Sequence, residues 1–175
     1  DALLQESYHS KNQSLSCGQV LLRDYHKEEM ITLIRDMSLE MSDRLHEEKK
    51  SARSFFLFLQ RKDHSGYEMK ISFVTPTDSA EKIGREFVGR FMETQIENDT
   101  LFRQISIVAV DVGDKNHYQM SLFEKPKEDR EIYDLEETLI QIRKKYGSVK
   151  AMPCSALSLS STYLKRRNQI GGHHA

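Results

Sequence analysis

Five consecutive residues, Gln119-Met120-Ser121-Leu122-Phe123, carry the most definite binding chemistry in the chain. Leu122 and Phe123 are adjacent apolar anchors with no helical partners of their own. A loop-forming run, Gly113-Asp114-Lys115-Asn116, precedes them, and a charged, proline-containing run from Glu124 to Arg130 follows. Such framing suits an extended peptide docking in a partner's groove, anchors in pockets and Gln119 hydrogen-bonding the rim. The alternative is that Leu122 and Phe123 cover an edge of the protein's own core. Catalytic chemistry has no comparable candidate. The sequence offers no glycine-rich phosphate loop and no nucleophile with an identifiable base. His173 and His174 have no partner ligands, and Cys17 and Cys154 lie far apart, so neither a metal nor a cofactor is assigned.

A second chemistry is contact with phosphates. The net charge is only -1, from 26 basic and 27 acidic residues, but the two signs are segregated. From Arg143 to Ala175 there is no Asp or Glu, whereas Arg143, Lys144, Lys145, Lys150, Lys165, Arg166 and Arg167 are basic. Acids crowd two predicted helices, among them Asp36, Glu40, Asp43, Glu81, Glu86 and Glu93. A polyanion would be repelled by the helices and drawn to strands, loops and tail. Arg53, Lys70 and Arg103, with Arg61 and Lys62 at a predicted hairpin, are expected to face phosphates. Sheet backbone N–H groups near Ser14, Ser16, Gln104 and Ser106 would add neutral contacts. Each basic residue taken singly is as well explained as solvated surface.

The elements that must position these groups follow from periodicity. Residues 1–13 read as a linker. Ser16 to Leu22 reads as a strand, and Asp24 is placed to cap a helix whose apolar stripe is Met30, Ile34, Met37, Met41 and Leu45. Arg53 to Gln60 is the strongest strand. Asp63-His64-Ser65-Gly66 has hairpin chemistry, and Tyr67 to Val74 returns as its partner. Thr75 to Ser79 ends that strand and caps a helix carrying Ala80, Ile83, Phe87 and Phe91 on one face; Leu101 to Val112 is the last strand. The order β-α-β-β-α-β predicts an α+β domain over residues 14–113: a four-stranded antiparallel sheet with both helices on one face. Residues 114–130 hold the peptide and a linker. Over residues 131–175 a helix carrying Leu135, Leu139, Ile142 and Tyr146 stops at Gly147. A Ser-rich, basic tail follows, expected to be poorly ordered alone. The longest apolar run, Phe55 to Leu59, is too short for a membrane span, and two isolated cysteines fit a cytoplasmic protein. The first residue, Asp1, predicts a piece of a longer chain.

Together these features resemble the C-terminal part of a bacterial Y-family translesion DNA polymerase. Ser14-Leu15-Ser16-Cys17-Gly18-Gln19-Val20-Leu21-Leu22-Arg23-Asp24-Tyr25 is similar to the start of that family's little finger domain. Gln119 to Phe123 resembles the peptide with which such polymerases grip the sliding clamp. Leu164 to His173 is similar to the tail of the UmuC-like branch (the polymerase IV/V type). The resemblance implies that this part holds template-primer duplex DNA and a sliding clamp, and that the tail reaches other SOS proteins in DNA repair. Catalysis and its magnesium would belong to a palm domain outside these residues. Of the strand positions where the family places arginines, only Arg103 matches; Gln104 and Val108 are uncharged, which implies weak DNA affinity in isolation.

A rival class shares the strand order: RNA-recognition and regulatory modules. An RNA-recognition sheet would show a Lys/Arg-Gly-Phe/Tyr-Gly/Ala-Phe-type strand. Tyr67 to Val74 has no glycine and offers only Tyr67 and Phe73 for stacking.

Overall fold

A computed structural model of the chain describes residues 13–115, 126–167, 169–170 and 173–174. Four strands, β1 (Gln13–His26), β2 (Lys50–Arg61), β3 (Gly66–Thr77) and β4 (Leu101–Asp114), form one antiparallel sheet in the order β1-β4-β2-β3. Helices α1 (Lys27–Glu47) and α2 (Ala80–Met92) connect them. This is the predicted α+β fold.

Strand alternation decides which face the helices cover. Cys17 and Leu21 of β1, Phe55, Leu57 and Leu59 of β2, Ile71 of β3 and Ile105, Ile107 and Ala109 of β4 are all buried. They meet the α1 stripe of Met30, Leu33, Ile34, Met37, Met41 and Leu45 and the α2 stripe of Ile83, Phe87 and Phe91, every one of them inaccessible to solvent. Phe91 of α2 packs edge-on to Phe102 of β4 at 6.2 Å, fixing that helix to the sheet, and Phe55 packs edge-on to Phe73 across β2 and β3 at 6.0 Å.

Two local expectations need correction. Asp24 does not cap α1, because β1 continues through Tyr25 and His26, which pair with Phe102 and Leu101. His26 is the N-cap, and Glu29 reaches back to accept its backbone N–H at 3.0 Å. The C-terminal tail is also not loosely held. Helix α3 (Pro126–Tyr146) ends at Gly147, whose φ of +100° and N–H bond to the Arg143 carbonyl supply the predicted stop. A 3-10 turn at Cys154–Leu157 and a short helix, α4 (Tyr163–Arg167), follow, and α4 is paired to α1 through Arg166 and Arg167. Strands β5 (Gln169–Ile170) and β6 (His173–His174) pair with each other.

Acids on α1 hold this strap. Ser161 and the Thr162 N–H donate to Asp36 at 2.7 and 3.1 Å, Arg166 pairs with Glu40, and Arg143 and Arg167 both pair with Asp43. The opposite charges segregated along the sequence meet within one molecule.

Candidate nucleic-acid interface

The face of the sheet away from the helices is open. Cross-strand register assigns Ser54, Phe56, Phe58 and Gln60 of β2 to it, opposite Val110, Val108, Ser106 and Gln104 of β4. On the β3 side Phe56 and Phe58 pair with Lys70 and Glu68. On the β1 side Gly18 and Val20 pair with Ser106 and Gln104. A Cβ on Gly18 would stand 2.8 Å from that of Ser106, so glycine is what lets β1 approach β4 here. Because β4 is hydrogen-bonded to both neighbours, Gln104 and Ser106 offer side chains to a ligand, not the backbone N–H groups foreseen from sequence.

The basic residues divide into groups. Arg61, Lys62 and Arg103 gather at the end of the sheet beside the β2–β3 hairpin, lining with His64, Asp24, Val20, Gln60 and Gln104 a cleft of about 580 Å³. Hairpin geometry fixes them: Arg61 N–H bonds the Ser65 carbonyl at 2.9 Å, and Asp63 accepts from Ser65 N–H at 2.9 Å. Lys62 and Arg103 both reach Asp24, at 2.8 and 3.4 Å, and hold its carboxyl below the usual range. Three cations and one carboxylate thus line this cleft, and the Arg61 Nε is buried without a protein partner. The cleft can accept an anion.

Lys70 is exposed on the open face, with its ammonium 5.3 Å from the Phe56 ring centre. Arg53 is exposed but lies at the other end of β2, where the pairing with β3 shifts register between Ala52 and Ser54. The structure therefore does not bring Arg53 to the cation cleft. Nor is the basic tail a free patch. Arg166 and Arg167 are in ion pairs with α1, and Arg166 also donates to the Gly18 carbonyl at 3.2 Å; Lys165 is exposed. Sequence reading missed Phe56 and Phe58 as open-face residues. Simple alternation from the buried Phe55, Leu57 and Leu59 is the signal that identifies them.

Gln119 to Phe123 lies outside the described residues. Its two flanks are anchored. Lys115, just before it, forms an ion pair with Asp78 at 2.9 Å, and Asp78 also contacts His46 at 3.2 Å. Helix α3, just after it, supplies Glu137, which lies 3.8 Å from both Lys115 and His46. Glu136 accepts the Glu81 N–H at 2.9 Å, satisfying a free donor in the first turn of α2. Burial pushes the His46 ring toward its neutral form and raises the Glu136 carboxyl.

Among the described residues no group of three or more His, Cys, Asp or Glu is arranged to hold a metal, and no helix is long and apolar enough to cross a membrane. Comparison with curated proteins gives no match. A solved structure titled as a complex of the beta-clamp processivity factor and the little finger domain of PolIV is similar over 64% of this chain and 100% of that chain, with 12% identity and a TM-score of 0.46. The model of the impB/mucB/samB family C-terminal domain matches residues 12–122. That span takes in the whole sheet and both covering helices, and the chain accordingly belongs to the impB/mucB/samB family as a Y-family polymerase C-terminal domain.

Proposed function

We propose that this chain is the DNA-holding and clamp-tethering part of a UmuC-like translesion polymerase acting in SOS damage tolerance. The observation that carries the DNA reading is the cleft lined by Arg61, Lys62 and Arg103, in which Lys62 and Arg103 pair with the carboxylate of Asp24 and Arg61 does not. Cations fixed at the end of an uncovered sheet suit phosphates of a template-primer duplex, and Lys70 extends the positive charge along β3. Contacts of this kind read no sequence, so lesions in the bases are tolerated.

The clamp reading rests on Gln119, Met120, Ser121, Leu122 and Phe123. Burying Leu122 and Phe123 supplies roughly 3–6 kcal/mol before ordering costs, which leaves affinity in the micromolar range. A tether of that strength still raises the effective DNA concentration seen by a polymerase. Anchored flanks, Lys115 on Asp78 and α3 on α2, keep the peptide close to the domain that holds the DNA.

Replacing Gln119, Leu122 and Phe123 together by Ala should abolish binding to a purified bacterial sliding clamp with the melting temperature nearly unchanged. A large loss of stability would place these residues in the protein's own core and end the peptide reading. Duplex titrations at low salt test the DNA reading separately, which fails if no binding is found.

A further inference from the structure

Short of the cation cleft at Arg61 and Arg103, the paired open-face positions of the two central strands carry no charged side chain: Ser54, Phe56, Phe58 and Gln60 on β2, Gln104, Ser106, Val108 and Val110 on β4. A duplex lying flat on this surface would press its phosphates against rings, aliphatic groups and amides. That surface is chemically matched to something else. A nucleobase freed from its pair has an apolar planar face and polar edges, and the centre of this sheet presents the complement of both.

Phe58 is the key side chain. It is 37% exposed although it sits on a central strand, because its neighbours toward β4 and β1 are small, while Glu68 pairs with it on the β3 side. Ser106 stands opposite it on β4, with Gly18 beyond on β1, and Gly66 pairs with the adjacent Gln60. The ring of Phe56 lies behind it, centroids 6.1 Å apart and planes within 14°, so Phe58 is supported from one side and free on the other. The free side borders a depression of about 420 Å³ shared with Gln60, Gln104, Ser106 and Glu68. Gln60 and Gln104 also line the cation cleft of Arg61, Lys62 and Arg103, so the two depressions adjoin.

We propose that Phe58, backed by Phe56, is a stacking platform for an unpaired nucleobase of single-stranded DNA. Gln60 and Gln104 lie at the base edge, and Arg61, Lys62 and Arg103 hold the adjoining phosphate. Aromatic stacking beside a cationic track is the general means of binding single strands without sequence preference. The proposal rests on the DNA-holding reading above and narrows it: the central sheet takes the unpaired strand, while the cation cleft serves paired and unpaired DNA alike.

The chain contains no tryptophan, so Phe58→Trp installs a single reporter at the platform. Titrated with a short single-stranded oligodeoxynucleotide, its emission should be quenched in step with binding; a duplex of equal length should bind without comparable quenching. Phe58→Ala should weaken single-strand affinity roughly 5- to 150-fold, the effect of removing one stacked base–ring pair. It should leave duplex affinity within about twofold. Phe58→Leu keeps apolar bulk without an aromatic face and should fail in the same way, which separates stacking from loss of fold. Single-strand binding that leaves the fluorescence of the Phe58→Trp variant unquenched, or full affinity in Phe58→Leu, overturns the platform but leaves the cation-cleft reading intact. Emission that changes with protein concentration alone marks the face as a self-association surface and also overturns it. No binding of either DNA form at low salt overturns both readings.

Discussion

Ser161 donates its hydroxyl to Asp36 Oδ2 at 2.7 Å across 125 residues of sequence. The Thr162 N–H adds a second bond to the same oxygen, and the Ser161 oxygen in turn accepts the Tyr163 N–H at 3.1 Å. This buried carboxylate is the pin on which the C-terminal strap turns onto α1. The strap's other contacts are ion pairs: Arg143, Arg166 and Arg167 on Glu40 and Asp43.

Removing that pin should be costly. Asp36→Ala strands the Ser161 and Thr162 donors in the interior and should destabilise the fold by about 1–3 kcal/mol. Asp36→Asn keeps an accepting oxygen and should escape that loss. The pH signature distinguishes them further. Burial raises the Asp36 carboxyl above its ordinary value, against the opposing hydrogen bonds. The folded state therefore binds the proton more tightly than the unfolded chain. Its contribution to stability is fullest at acid pH and declines as pH climbs from the ordinary carboxylate value through the raised one. Denaturant melts of wild type and Asp36→Asn should converge at low pH and separate above it, with Asn the more favourable partner; parallel curves would refute the burial account.

His46 has the opposite linkage. Burial depresses its folded pKa, with Lys115 acting in the same direction and Asp78, Glu137 and Asp43 opposing. Stability from the neutral ring is present above the ordinary value of 6.5 and is lost as pH falls toward the depressed one. Wild type should thus lose stability between neutral and mildly acid pH, and His46→Gln should lack that component. The element loosened first should be α3, because Glu137 meets the ring and Lys115 together. Amide exchange resolved by segment, corrected for the intrinsic pH effect, reads this directly.

Much of this arrangement was legible in the sequence where short-range rules decide it. The three- and four-residue steps from Met30 to Leu45 and from Ile83 to Phe91 determine the covered faces of α1 and α2, and Gly147 marks the end of α3 through its required positive φ. Asp24 misled because a capping side chain before a helical stripe is a local cue, whereas pairing of Tyr25 with Phe102 extends the strand past it. The strap is not legible at all by such rules. Arg166 meets Glu40 and Arg167 meets Asp43 across more than 120 residues, and charge segregation by itself fits an intramolecular partner as well as a polyanion. Of the interface, the hairpin cations were readable from turn chemistry, and their separation from Arg53 follows from its place toward the opposite end of the same strand, β2.

Gly18 offers a test of the register itself. Its missing Cβ would lie 2.8 Å from Ser106 Cβ and 3.3 Å from the Ile105 carbonyl oxygen. Gly18→Ala should cost about 1–3 kcal/mol by forcing β1 away from β4. Ser106→Gly removes the nearer obstacle, so the double variant should recover part of that loss despite the added backbone entropy of a second strand glycine. A strictly additive double mutant would mean that the two residues do not face each other.

The two sets of arginines should separate cleanly into structure and binding. Arg166 and Arg167 have side chains only 21% and 26% exposed, each on a still less exposed carboxylate. Reversing both to Glu sets like charges against Glu40 and Asp43, and should destabilise the fold by about 1–3 kcal/mol, between the surface and buried ion-pair ranges. DNA affinity of the molecules that remain folded should hardly move, since these groups face α1. Arg61, Lys62 and Arg103 are different: Lys62 and Arg103 share one carboxylate partner, Asp24, and the Lys62–Asp24 pair is largely solvated. Reversing these three should leave stability within about 1 kcal/mol while weakening DNA binding. It should also flatten the dependence of log affinity on log salt by roughly 0.9 for each duplex phosphate that is no longer neutralised. If instead the tail reversals erase the salt dependence and the cleft reversals do not, the strap must leave α1 when DNA binds, and the phosphate track runs along the tail.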